Sequence, residues 1–270
     1  MKKFVYVIYA LLFLAVTGLL IYEIFIAKNF ETRNIGRYII LVVGMVASVI
    51  KFSVQPQRKF LSKKKAYQNA YSDFIRSAFS QDPKLENQLY RAIDDYNQNK
   101  CSAAIRKLEA LRKQCQNSDD IYAVSVFSAL CYDDLQLFEM AAKQYTAALN
   151  LRPHSTLASN LGLCRERLGD QQGAIESYRL ANQLDPKNAF PLNNMAQIYV
   201  RMGEYEKAID YATQATALNS KMYQPLNALA ISHALMGNTA EYERFYRQAV
   251  SCGADGKKLK AYIEAMDASL

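Results

Sequence analysis

The residues able to do chemistry in this 270-residue chain are few and mostly far apart. The two histidines, His154 and His233, neighbour no cysteine or carboxylate cluster at metal-ligand spacing. The five cysteines (Cys101, Cys115, Cys131, Cys164, Cys252) are odd in number and lack a C-x-x-C pair, which fits a reducing compartment. The ten glycines are dispersed, so no phosphate-binding loop is spelled out, and there is no G-x-S-x-G elbow. Asp94-Asp95, Asp119-Asp120 and Asp133-Asp134 are adjacent pairs. Neighbours on a helix point about 100° apart, so such a pair cannot share a proton or a metal. These pairs read as solvated faces or helix starts. The pattern calls for no catalytic residue, no metal and no cofactor, and argues against an enzyme. What remains is a set of regularly spaced amides. The interval from Asn160 to Asn194 equals that from Asn193 to Asn227. An amide both donates and accepts, so it can bond the backbone of an extended peptide without reading its side chains. Gln197, Arg201 and Arg167 extend this polar set, and arginine there suits an acidic or C-terminal group.

The elements that position these residues follow from the same spacing. Gly169, Gly203 and Gly237 recur at that one interval, as do Ala181, Ala215 and Ala249. Leu161, Met195 and Leu229 keep that period, with Gly162, Ala196 and Ala230 beside them and Ala174 matched by Ala208. Self-similarity at one period marks a repeat protein. Ala158, Leu161, Gly162 and Arg165 fall at i, i+3, i+4 and i+7, which predicts a helix ended by Gly169. Ala174, Tyr178, Ala181 and Leu184 form the inward stripe of a second helix, ended by Pro186. Pro191 and Pro225 stand where a first helical turn tolerates proline.

These residues resemble the tetratricopeptide repeat, a helix–turn–helix unit. Residues 155–188 carry its pattern through Leu161-Gly162, Gly169, Ala174, Tyr178, Ala181 and Pro186, with Arg165 in place of the first aromatic. Residues 189–222 match through Met195-Ala196, Tyr199, Gly203, Ala208 and Ala215, and 223–256 through Leu229-Ala230, Gly237, Tyr246 and Ala249. Ala129, Tyr132, Ala141, Tyr145, Ala148 and Pro153 make a further unit at 122–154, and Ala92, Ala104, Leu108 and Leu111 suggest a degenerate one at 85–118. The resemblance implies an all-α right-handed solenoid whose concave groove, lined by each unit's first helix, receives a protein segment. Residues 257–270, with Leu259, Tyr262, Ile263 and Met266, look like a capping helix. Residues 66–80, with Tyr67, Tyr71, Phe74, Ile75 and Phe79, either cap the other end or continue toward the membrane. The basic and asparagine set of chaperone-tail-binding relatives is not reproduced, because Ser159, Leu163 and Phe190 stand where polar or basic groups would help.

Charge separates the solenoid from what precedes it. Residues 1–66 hold 11 Lys/Arg against Glu23 and Glu31, and the remainder holds 22 Lys/Arg against 23 Asp/Glu. The basic surplus therefore lies outside the repeats, which removes the main support for a nucleic-acid partner. Residues 4–27 form an apolar run long enough to span a bilayer, which needs about 20 helical residues, and 38–54 form a shorter second run. Gly44 and Ser48, four apart, would let two such helices approach closely. The outer flanks carry eight Lys/Arg against three in the connecting loop, favouring a transmembrane hairpin over 1–55 with both ends cytoplasmic. If only the first run spans, the repeats face the opposite side. The 56–84 segment is a basic juxtamembrane linker and helix, whose Arg58-to-Lys65 cluster suits either anionic headgroups or plain solvation. The combined expectation is a membrane-tethered scaffold binding a protein or peptide through Asn160, Arg167, Asn193, Asn194, Gln197, Arg201 and Asn227. The alternatives are a self-associating subunit of a membrane complex and an extracytoplasmic envelope-assembly factor.

Overall fold

The computed structural model describes residues 63–268 apart from 76. The apolar runs 4–27 and 38–54 lie outside the described residues, as does the linker up to 62. Among the described residues no helix is long and apolar enough to cross a membrane. The chain divides between Ala70 and Tyr71 into two units; residues 63–70 of the first are helical, and the second holds all that follows.

Eleven helices of eight residues or more follow one another in the second unit's described residues: α1 (Pro83–Asn97), α2 (Cys101–Arg112), α3 (Ser118–Asp134), α4 (Phe138–Leu151), α5 (Ser155–Arg167), α6 (Gln171–Leu184), α7 (Ala189–Arg201), α8 (Tyr205–Leu218), α9 (Tyr223–Leu235), α10 (Thr239–Ser251) and α11 (Gly256–Asp267). They pair as five antiparallel hairpins, α1–α2 through α9–α10, with α11 laid against the last. An aspartate or asparagine side chain starts five of them. Asp82, Asn117, Asp170, Asn188 and Asp255 each accept a hydrogen bond from a first-turn backbone N–H, and Pro83 opens α1.

Each hairpin turns through a left-handed residue just past its first helix. The glycines there are Gly169, Gly203 and Gly237, with φ of 79°, 74° and 75°. The first two hairpins place Asn99 (57°) and Gln136 (59°) at the same point. Only glycine takes this conformation without a steric cost.

The helices pack through matched small and large residues. Ala141, Ala174 and Ala208 on the second helices are fully buried, as are Ala148, Ala181 and Ala215 further along them. A Cβ at Gly162 would lie 2.6 Å from the Tyr178 ring, so a residue larger than glycine would displace that tyrosine. One buried cluster runs from Tyr122 to Ala181 and a second from Ala174 to Leu259, so neighbouring units share residues and no hairpin has a core of its own. Leu259, Ile263 and Met266 pack α11 onto the second cluster. Tyr262, expected on the same stripe, is instead 44% exposed. Arg165 takes the place of an aromatic by bonding rather than stacking, donating to the Gly173 carbonyl and to Ser177 Oγ at 3.0 and 2.9 Å.

Residues 71–75 and 77–79 run back along α3. Tyr71 meets Phe127, Phe74 meets Tyr122 and His154, and Ser77 donates to Asp119. The Phe79 N–H donates to Asp120 Oδ1 at 2.7 Å. Asp119 and Asp120 do start a helix, but Asp120 is buried rather than solvated because it also accepts from the Gln116 N–H.

The turn geometry yields a signed prediction. Gln136→Gly relieves a strained backbone and should stabilise the chain by about 0.5–1 kcal/mol, whereas Gly203→Ala should destabilise it by about 1 kcal/mol. Urea unfolding of both variants beside the native chain checks the two signs.

Candidate functional site

The first helices α3, α5, α7 and α9 line one face of the solenoid, and the polar residues singled out by spacing lie on the last three. They divide into two groups. Asn160 and Asn194 are tied into the junctions between units. Asn160 Nδ2 donates to Tyr145 Oη at 3.3 Å, and that hydroxyl donates to Asp133 Oδ2 at 3.4 Å. One unit on, Tyr178 Oη donates to Glu166 Oε2 at 3.1 Å, and Asn194 stands close enough to favour the ionised phenol. Both tyrosines are fully buried, and burial with the adjacent carboxylate pushes each phenol far above its usual range. Burial raises the Asp133 carboxyl as well, against the pull of Tyr145, while Arg167 nearby lowers it. Each junction is thus bridged by a carboxylate, a tyrosine and an asparagine. These two asparagines were expected to be open to a ligand; their amides are engaged because a buried tyrosine hydroxyl needs partners.

The third junction breaks the pattern at every position. One repeat period after Glu166, Tyr178 and Asn194 stand Val200 in place of the carboxylate, Ala212 of the tyrosine and Ala228 of the asparagine. A pocket of about 270 Å³ opens there between α7 and α9. Val200, Ala228 and Ile231 form its apolar lining, Gln197, Arg201, Gln224 and Asn227 its polar lining, and Tyr262 of α11 contributes a wall. Gln197, Arg201 and Asn227 of the spacing-derived set come together at this pocket, whereas Arg167 stands apart on α5. Arg201 Nη2 is held by Glu166 Oε1 at 2.8 Å, so its charge is already paired. Val200, Gln224, Ala228, Ile231 and Tyr262 escaped the sequence reading. The signal for them was present as the joint loss of three periodic residues, which only gains meaning once the tyrosine bridge is known.

A second feature crosses the same face. Ser159 Oγ on α5, Asn193 Oδ1 on α7 and Asn227 Oδ1 on α9 are buried with no hydrogen-bond partner in the protein. They occupy one repeat position in three successive units. Asn193 is only 4% exposed, and its amide nitrogen donates to Asn194 Oδ1 at 3.2 Å, so its free carbonyl is the group left to bind. Buried unpaired acceptors are costly, and three at one repeat position are acceptors that a ligand N–H would satisfy once the side chains turn outward. Beside them Phe190 is 59% exposed and Leu163 42%, which gives the face apolar contacts between its polar ones.

The bridges predict a stability effect confined to the first two junctions. Tyr145→Phe removes one hydroxyl shared by Asp133 and Asn160 and should cost about 1–2 kcal/mol, with Asn160→Ala adding little on top because the two act on one bridge. A double-mutant cycle by thermal unfolding measures that coupling.

Models of the tetratricopeptide repeat match residues 128–189 and 189–221. No curated protein matches the sequence. Solved structures share the fold. A tetratricopeptide repeat protein from Parabacteroides merdae ATCC 43184 superposes with a TM-score of 0.61 at 21% identity, over 67% of this chain and 73% of that one. YrrB, a TPR protein with an unusual peptide-binding site, gives 0.59 at 12% identity, over 74% of this chain and 99% of YrrB. MamA gives 0.55 at 18% identity, over 63% and 96%. The periodic residues, the left-handed turns and these matches agree: this chain carries tetratricopeptide repeats, stacked as an all-α solenoid.

Proposed function

We propose that the protein binds an extended segment of another protein across α5, α7 and α9, and that it has no catalytic role. The row of unpartnered acceptors at Ser159, Asn193 and Asn227 carries this reading. Packed helices lie about 8–10 Å apart, and an extended chain advances about 3.3 Å per residue. One backbone N–H in about three therefore reaches each successive oxygen, and roughly seven residues span the row. The amide row bonds main chain, so it sets where a segment lies more than which sequence it has. Side chains beside the row supply the selection. That YrrB has a peptide-binding site on the same fold is consistent with this reading.

The apolar runs 4–27 and 38–54 support a tether. In this reading a transmembrane hairpin holds the repeats at the cytoplasmic face, with the 58–65 cluster beside anionic headgroups, and raises the local concentration of the bound partner.

Two measurements test these statements. Ser159→Ala with Asn193→Ala and Asn227→Ala should weaken a peptide selected from a random 12-residue displayed library at least tenfold. The same triple variant should unfold at an unchanged or higher temperature, because unpaired buried oxygens are removed. A structural role for these residues predicts the opposite pair of results. For the tether, the full chain should float with liposomes and a chain lacking residues 1–55 should not.

A further inference from the structure

We infer that the pocket between α7 and α9 receives an aromatic side chain of the bound segment, which makes an aromatic anchor the specificity element of the site. This rests on the peptide-binding reading above. Two independent observations lead to it. The first is what the pocket lacks. At the two preceding junctions a buried tyrosine, Tyr145 or Tyr178, sends its hydroxyl to the carboxylate at the repeat position that Val200 takes beside the pocket. At the third, the tyrosine's repeat position is taken by Ala212, and Val200 and Ala228, which line the pocket, lack the groups that would bridge to a phenol. The space left is shaped by a repeat that elsewhere holds an aromatic ring.

The second observation is that this chain fills the junction between its first two hairpins with an aromatic residue outside the repeats. Tyr71, outside the helical repeats, lays its ring on Phe127 of α3 at 5.1 Å and 83°, and its hydroxyl donates to Asn97 Oδ1 of α1 at 3.0 Å. Asn97 precedes its left-handed turn residue Asn99 by two positions, as Arg201 precedes Gly203. Phe127 precedes Gln136 by nine, as Ala228 precedes Gly237. Tyr71 therefore spans, between α1 and α3, the repeat positions that Arg201 and Ala228 occupy at the open pocket. The residues following it continue along α3 through Phe74 and Phe79, so a non-repeat segment seated in this way is already part of the molecule.

The chemistry of the open pocket suits the same kind of guest. Val200, Ala228 and Ile231 offer apolar contact, and the exposed Tyr262 ring offers an edge-to-face partner. Asn97 accepts from the Tyr71 hydroxyl, whereas Arg201 can only donate, so a tyrosine guest would accept from it and a phenylalanine would leave it on Glu166. The Asn227 carbonyl beside the ring site takes the N–H of the guest's own backbone.

The test uses the full 270-residue chain as bait for a random 12-residue displayed library, with binders measured afterwards as free peptides by fluorescence polarisation. The expected result is that binders share Tyr, Phe or Trp at one position, and that changing it to Ala weakens binding at least tenfold. Ala228→Phe should weaken binding equally by filling the pocket. A second variant, Val200→Glu with Ala212→Tyr and Ala228→Asn, rebuilds the bridge of the other junctions and should fold while losing affinity to the same extent. Binders without a shared aromatic, or binders that hold both filled variants as tightly as the native chain yet lose affinity for the Ser159/Asn193/Asn227 alanine variant, would overturn the aromatic pocket and leave peptide binding standing. Failure to select any binder would overturn both. Should a filled variant not fold, as judged by circular dichroism, the alanine-substituted peptide decides alone.

Discussion

A helical hairpin of this size cannot bury its apolar stripe by itself, and the stack exists because each hairpin buries the stripe of the next. The critical contact is the one between a small residue on one helix and a large one on its partner. Gly162 against the Tyr178 ring is a tight instance, since even a methyl group there would overlap the ring. The buried alanines at 141, 174 and 208 extend the same principle along the solenoid. Close approach in turn brings the tyrosine hydroxyls within reach of a carboxylate on the first helix before them and an asparagine on the next unit, so packing and polar bonding are parts of a single arrangement.

The candidate site follows from relaxing that arrangement at one place. Replacing the tyrosine by Ala212 removes volume and a polar group together, and the accompanying Val200 and Ala228 leave no charged or amide group of the bridge orphaned in the space. A bridge that lost only its tyrosine would strand a buried carboxylate and an amide, at a cost in stability. The joint change leaves Val200 and Ala228 as apolar lining of the pocket. Polar groups that could orient a ligand stand around the hollow rather than under it. The unpartnered oxygens of Ser159, Asn193 and Asn227 lie along the same face, so hollow and acceptor row form one surface running over three units.

Over α3 the chain itself covers the surface. Tyr71 to Phe79 cover α3, with Asp119 and Asp120 binding the segment's serine hydroxyl and backbone N–H. Helix α3 is accordingly buried almost all the way round, whereas α5 and α7 keep exposed Leu163 and Phe190 on the face in question. The exposed part of this face therefore lies on the later units, where the pocket is.

Spacing alone determined the all-α repeat architecture, because a constant period of glycine, alanine and leucine records contacts that every unit must make in the same way. It also located the hairpin turns, since a left-handed residue is a local requirement that glycine announces. Even so, Asn99 and Gln136 adopt that conformation without announcing it. Periodicity could not tell an asparagine that binds a ligand from one that binds a tyrosine. Asn160 and Asn193 look alike in sequence, yet the first meets Tyr145 while the second keeps a buried carbonyl with no partner. Nor did it place Tyr71 on Phe127 or Tyr262 at the pocket, because neither belongs to the period. These points were decided by the tertiary structure, for the physical reason that partners lying on different helices are brought together only when the helices stack.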